Sequence, residues 1–169
     1  MIWSAVRNRS PHEGLITALS IGGFFIILGF VFAFTPGIGG QTRDFFNDLS
    51  TQSYSLSSTN TISLLAPAHP ANHQNFYSAV MNFMLGVGVL QILILALRLV
   101  VHSRTRRIAQ SVGDLIFWLG AAIVANVFLL AGTLNGWYQF WSSLIVLVGL
   151  SLIARAFVYL ASRFKREHE

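Results

Sequence analysis

The chain has 169 residues, of which 54% are hydrophobic and 10% charged, with a net charge of +5 and no cysteine. A soluble globular domain carries about 25% charged residues, because polar groups must cover much of its surface. The composition therefore excludes an ordinary water-soluble domain and predicts that lipid surrounds most of the surface. The lack of cysteine excludes disulfides, thiolate metal sites, iron–sulfur clusters and cysteine nucleophiles.

Four apolar segments follow one another along the chain, and each is long enough to cross a bilayer. They cover Leu15–Thr35, Phe76–Val101, Leu115–Leu134 and Trp137–Ser162. With their flanking residues, the predicted helices cover about 11–35, 70–102, 111–134 and 137–164, and an outer loop covers about 36–69. The sequence predicts an all-α integral membrane four-helix bundle that forms a single domain of two antiparallel hairpins.

Helix-start and turn patterns support these boundaries. Ser10–Glu13 has the capping-box pattern with proline at the first helical position. His69-Pro70 predicts the start of the second helix, and Ser111–Asp114 repeats the cap pattern before the third. Asn135-Gly136, a turn dipeptide, separates the third and fourth spans. These two spans are therefore expected to form a tight antiparallel hairpin.

Basic residues cluster in three segments that a four-span chain places on the same side of the membrane. They are Arg7, Arg9, Arg98, Arg104, Arg106, Arg107, Arg163, Lys165 and Arg166. The opposite side carries Arg43, which is offset by Asp44 and Asp48. The positive-inside rule predicts cytoplasmic termini in the cell membrane, with the basic segments contacting anionic headgroups. Clustering at helix ends argues against nucleic-acid binding.

The first span has a competing interpretation as a cleaved signal peptide, with Arg7 and Arg9 as its basic region. Its apolar run exceeds the usual length of about 7–15 residues, and no small-residue cleavage site follows. We therefore expect an uncleaved anchor. Met1–Val6 is expected to lie along the membrane surface, because it carries Trp3.

The predicted outer loop opens with the glycine-rich segment Gly37–Gly40. Thr42–Leu49 is compatible with one or two helical turns. Ser50–Ser63, rich in Ser and Thr, leaves three alternatives open: a disordered tether, a short hairpin, or a segment ordered by a partner. The length of the loop favours a partner.

A candidate metal site lies in this outer region. His69 and His73 have the spacing that places two imidazoles on one helix face, which suits half of a zinc or copper site. Asp44 and Asp48 share that spacing and the same side of the membrane. The structural alternative is that His69 caps the second helix and His73 is an interfacial polar residue. No histidine falls inside an apolar core, so haem is not expected.

Polar residues inside the spans form a predicted intramembrane network. They are Asn82, Gln91, Arg98, Asp114, Asn126, Gln139 and Arg155. Ionisable groups in lipid are costly, so these side chains are expected to face other helices or to reach the interface. Two roles remain open for Asp114: an ion pair with Arg98 or Arg155, or a cap at the start of the third helix.

Small residues indicate where helices approach one another closely. Ala18 and Gly22 on the first span, and Ala121 and Ala125 on the third, are small pairs four residues apart. Contact within one bundle and contact between copies both remain open from the sequence.

The sequence carries no nucleophile–base set, phosphate loop or acid in mid-membrane, and no cofactor is predicted. We therefore expect a non-enzymatic structural or accessory subunit of a membrane complex or homo-oligomer. The first alternative is a small oligomeric channel or transporter lined by Asn82, Gln91 and Asn126. The second is an enzyme centred on the outer His69/His73 site. Arginine-rich, lysine-poor usage is typical of a GC-rich prokaryotic genome.

Overall fold

The computed structural model describes residues 11–55 and 61–167 of the chain. The predicted Ser10 cap, the basic residues Arg7 and Arg9, and the surface segment Met1–Val6 lie outside the described residues. The side chains of Arg163, Lys165 and Arg166 lie outside them as well.

Four long helices have the length and hydropathy needed to cross a membrane, as predicted. They are α1 (Pro11–Phe34), α3 (Gln74–Val100), α4 (Thr105–Val124) and α5 (Leu134–Glu167). A 3-10 turn, Pro70–His73, leads into α3, and a π-helical turn, Ala125–Leu129, extends α4. The chain is thus a mostly helical, multi-pass membrane protein.

The described part of the segment expected to be a loop, residues 36–55 and 61–69, contains a short helix and two strands. The short helix α2 (Ile38–Asn47) follows Gly37, whose φ of 68° is readily accessible to glycine. Strands β1 (Leu49–Ser55) and β2 (Thr61–Pro67) then pair antiparallel, with Leu49 opposite Pro67. The hairpin alternative is therefore the observed one, and the all-α prediction needs a two-stranded sheet added to it.

Two predicted boundaries inside the last hairpin are wrong. Helix α4 begins at Thr105, six residues before the predicted start at Ser111. The turn between α4 and α5 precedes Asn135-Gly136. It contains Gly132, which adopts a φ of +61°. Gly136 instead lies in the first turn of α5, and its amide donates to the Thr133 hydroxyl over 3.0 Å. Thr133 thereby satisfies one of the free amides at the start of α5.

The four long helices pack in chain order, α1 on α3, α3 on α4, and α4 on α5. Extensive contact between α1 and α5, which would close a four-helix bundle, is missing from the described chain, so the expected bundle is an open row. Glycines permit the close α1–α3 approach, because a Cβ at Gly86 would lie 2.8 Å from Ile27 Cγ2. Most of α1 and α5 is left exposed at the two edges of the row.

We call the side of the row that carries the β-hairpin the hairpin end, and the opposite side the termini end. A buried aromatic and aliphatic core at the hairpin end joins α2, α3, the π-helical turn and α5. Its members are Phe45, Tyr77, Ala125, Leu129 and Phe140. Trp137 Nε1 donates to the Leu65 carbonyl oxygen over 3.2 Å, which docks the hairpin onto the start of α5.

Candidate functional site

At the hairpin end, one carboxylate connects both predicted metal-ligand histidines. Asp48 Oδ1 lies 2.9 Å from His69 Nδ1, and Asp48 Oδ2 lies 2.9 Å from His73 Nε2. The backbone N–H of His69 also donates to Asp48 Oδ2 over 2.8 Å. Asp48 is the C-cap residue that directly follows α2, so its hydrogen bonds connect the end of α2 to the turn that starts α3.

The electrostatics of this cluster favour an ionised carboxylate. Burial raises the pKa of Asp48, but the hydrogen bonds from the His69 side chain and backbone and from His73 outweigh it. The pKa falls from 3.8 to about 2. The cluster therefore keeps Asp48 negatively charged and hydrogen-bonded across the physiological pH range.

The four predicted metal-site residues are only partly assembled. Asp48, His69 and His73 are joined by hydrogen bonds, whereas Asp44 only lines the same cavity of about 290 Å³ as Asp48 and His73. Within residues 11–55 and 61–167, no group of three or more histidine, aspartate or glutamate residues is arranged to hold a metal ion. The imidazole nitrogens that face Asp48 are engaged in hydrogen bonds. His69 occupies the cap position of the 3-10 turn without a capping bond from its side chain.

At the termini end, the charged members of the predicted network meet between neighbouring helices. Arg98 on α3 donates to the carbonyl oxygen of Arg107 over 2.7 Å and to the Ser111 hydroxyl over 2.5 Å. Arg155 on α5 donates to Asp114 Oδ1 on α4 over 2.7 Å. Of the two alternatives for Asp114, the ion pair is therefore the observed one. The cap role fails because α4 begins nine residues earlier.

Two residues of this cluster were not recognised as its members in the sequence. Ser111 is fully buried in mid-helix rather than at a helix start. Gly113 lies directly under the Arg155 side chain, since a Cβ there would lie 2.6 Å from Arg155 Cγ. Glycine at this position lets the arginine cross α4 and reach Asp114. The available sequence pattern for this arrangement was a small residue directly before Asp114 and another three residues before it.

The amide members of the network do not join the charged ones. Asn82 is exposed and opens into an apolar groove of about 630 Å³ between α1 and α3. Asn126 in the π-helical turn and Gln139 near the start of α5 are also exposed, and Gln91 is half-buried. In the described ranges, no hydrogen bond connects these four side chains, so one chain does not present them as a continuous polar path.

The two small-residue pairs have different surroundings. Ala121 and Ala125 are both fully buried between α4 and its neighbours. Ala18 and Gly22 are exposed on α1, and a Cβ at Gly22 would meet no atom within 4 Å. One pair therefore serves contacts within the chain, and the other lies on its outer surface.

Comparison of the chain with protein-family models, with curated proteins and with solved structures finds no match.

Proposed function

We propose that the protein is a non-enzymatic structural or accessory subunit whose α1–α3 groove receives a membrane-spanning helix. That helix comes from a second copy of the chain or from another subunit of a membrane complex. The observation that carries the proposal is the exposed carboxamide of Asn82 in this otherwise apolar groove.

A carboxamide in mid-span requires a polar neighbour, because lipid tails offer neither donors nor acceptors. Asn82 lies near the middle of the 31-residue span Pro70–Val100. The described residues supply no hydrogen-bond partner for its side chain. A helix in the groove that presents a polar group would satisfy the amide, and such bonds contribute about 0.6–2 kcal/mol in membranes.

The shape of the groove also suits a helix. Leu85, Gly86 and Val89 follow Asn82 at spacings of three, four and seven residues, so the four lie on one face of α3. On the α1 side the groove is bounded by Ile26, one turn beyond the exposed Gly22. Small residues at this edge permit close backbone approach, the usual mode of helix association in lipid.

The proposed orientation has both termini in the cytoplasm. Exposed arginines Arg104, Arg106 and Arg107 lie at the termini end, whereas Arg43 at the hairpin end is close in sequence to Asp44 and Asp48. This asymmetry supports a cytoplasmic termini end under the positive-inside rule. The cell membrane is the proposed location.

Single-cysteine cross-linking in native membranes tests the groove directly, because the chain has no cysteine of its own. Val89, 51% exposed in the groove, is replaced in the variant Val89→Cys. Oxidation is expected to give a discrete disulfide dimer if the partner is a second copy. A thiol-to-amine cross-linker is expected to give one discrete larger species if the partner is another subunit.

The matched control is Leu152→Cys on α5, at a site 55% exposed to the surroundings but outside the groove. It is expected to give no discrete product. Adding Asn82→Leu to Val89→Cys is expected to abolish the product while the thermal unfolding temperature stays unchanged. Equal products from both cysteines, or a product insensitive to Asn82→Leu, would contradict the proposal.

A further inference from the structure

A cleft lies between α4 and α5 at the termini end, away from the α1–α3 groove of the proposed subunit role. Its volume is about 660 Å³. Polar side chains from both helices line it together with small and aliphatic ones, including Arg106, Gln110, Arg155, Ala156, Tyr159 and Leu160. The cleft therefore combines two guanidinium groups with an apolar wall.

The electrostatics of the cleft favour an anion. Arg106 is exposed in the first turn of α4, where the unpaired backbone amides and the helix dipole add positive potential. The facing acid is Asp114, which pairs with Arg155 through one oxygen. Two arginines and a helix start outweigh that single carboxylate, so the net potential is positive.

Arg155 is held in position before any ligand arrives. Its side chain crosses the backbone of Gly113 and is fixed by the 2.7 Å bond to Asp114. That bond uses one of the five guanidinium N–H groups, and a preorganised guanidinium loses less freedom when it binds a phosphate. The arrangement thus provides a half-buried arginine anchored by Asp114 and a second, exposed arginine in the same cleft.

The apolar wall indicates the source of the anion. Ala156 and Leu160 line the cleft, and the adjoining Phe157 on α5 is 66% exposed on a membrane-spanning helix. A soluble anion gains nothing from such a wall, whereas the glycerol backbone and first methylenes of a phospholipid would gain from burial against it. Tyr159 has the amphipathic character of side chains at the headgroup level.

We propose that this cleft binds the phosphate group of an anionic phospholipid, with Arg106 and Arg155 as its cationic ligands. The phosphate oxygens accept hydrogen bonds from the two guanidinium groups, and Gln110 and Tyr159 offer neutral donors beside them. The cleft shares no lining residue with the α1–α3 groove, so a test of lipid binding is separate from the test of the subunit role.

Native mass spectrometry of the purified full chain, titrated with lipid in mild detergent, tests the site. Phosphatidylglycerol is expected to bind more tightly than phosphatidylcholine with the same acyl chains. Arg106→Gln is expected to weaken phosphatidylglycerol binding about fivefold, the loss of one interfacial cation. Binding of phosphatidylcholine is expected to weaken less, because its choline ammonium offsets the charge of the phosphate.

The matched control is Arg104→Gln, which removes an exposed arginine two residues away that does not line the cleft. Little change in affinity is expected. Equal losses from Arg104→Gln and Arg106→Gln would mean diffuse attraction and would overturn the site.

A second variant, Asp114→Asn with Arg155→Gln, removes both charges of the Arg155–Asp114 pair together. It is expected to weaken phosphatidylglycerol binding while Arg106 remains. Unchanged binding would remove Arg155 from the site and overturn the proposal.

Competition with inorganic phosphate distinguishes the sources of the anion. Millimolar phosphate is expected to leave the lipid bound. Displacement of the lipid would assign the cleft to a soluble phosphate and overturn a phospholipid site.

Discussion

Asp48 shows how much one residue at the end of a short helix contributes to local order. Its two carboxylate oxygens accept hydrogen bonds from His69 and His73, and its backbone carbonyl accepts from the Ala68 amide over 2.9 Å. The hairpin begins directly after Asp48, so this residue closes the base of the hairpin onto the turn that starts α3. Hydrogen bonds to a charged group are stronger than neutral ones.

Asp48→Asn is expected to destabilise the folded protein by roughly 1–2 kcal/mol, because the amide replaces a charged acceptor of three hydrogen bonds. Thermal unfolding in detergent at neutral pH measures the difference. The control is Asp44→Asn, an exposed carboxylate on the same helix, for which no change is expected. Equal effects of both substitutions would contradict the role of the histidine contacts.

The contribution of Asp48 also has a defined pH dependence. Its folded-state pKa of about 2 lies below the ordinary 3.8, so the carboxylate stabilises the fold fully above pH 3.8. That stabilisation is lost as the pH falls from 3.8 towards 2. The difference in stability between the wild type and Asp48→Asn is therefore expected to shrink through this window, as measured by unfolding at a series of acidic pH values.

The connection between α4 and α5 is an element in which backbone atoms lie in close contact. The π-helical turn ends α4 with the Leu130 amide donating to the Ala125 carbonyl oxygen over 3.3 Å. The start of α5 then returns so closely that a Cβ on Gly136 would overlap the Phe128 carbonyl oxygen. Backbone atoms on both sides define this contact, so a change of side-chain rotamer cannot relieve it.

Gly136→Ala is expected to lower stability by about 1–3 kcal/mol, the usual cost of an added carbon in a close-packed site. Gly149→Ala on the same helix is the control, since a Cβ there would meet no atom within 4 Å. The unfolding temperatures of the two variants, measured in the same detergent, give the comparison. Similar temperatures for both would contradict the close approach at Gly136.

Hydropathy predicted the four spans because it depends on local composition, but it did not locate where α4 begins. Thr105, Arg106 and Arg107 are polar, yet they continue the helix beyond the apolar segment. Hydropathy indicates which residues contact lipid, but it does not indicate which residues are helical. The polar first turns of α4 were therefore assigned to the connection between the second and third spans. The hairpin had remained one of three alternatives, because Ser and Thr are compatible with both strands and flexible chain.

The candidate sites were predictable in their residues and less so in their grouping. The four-residue spacing made Asp44 and Asp48 equivalent as candidate ligands in the sequence. In the structure only Asp48, at the base of the hairpin, contacts the histidines. The exposed position of Asn82 was also unpredictable. In lipid, an apolar helix face is equally suited to a neighbouring helix and to acyl chains, so composition does not reveal which face is covered.

At the scale of the whole molecule, the proposed orientation can be tested by labelling. Thr51 lies in β1 at the hairpin end, and Ser103 lies in the α3–α4 connection at the termini end. On intact cells, a membrane-impermeant maleimide is expected to label Thr51→Cys. Ser103→Cys is expected to react only after the membrane is permeabilised. The reverse pattern would contradict cytoplasmic termini.

The row of helices in chain order has a consequence for biogenesis. Each membrane-spanning helix after the first packs on the one synthesised just before it, and α1 and α5 make no extensive contact. If the helices enter the bilayer one at a time, each new helix can pack on the preceding one as soon as it is inserted. No face of α1 has to stay uncovered until α5 arrives. Assembly of the single chain is complete when α5 docks, and the groove beside α1 is available for a partner from the moment α3 is inserted.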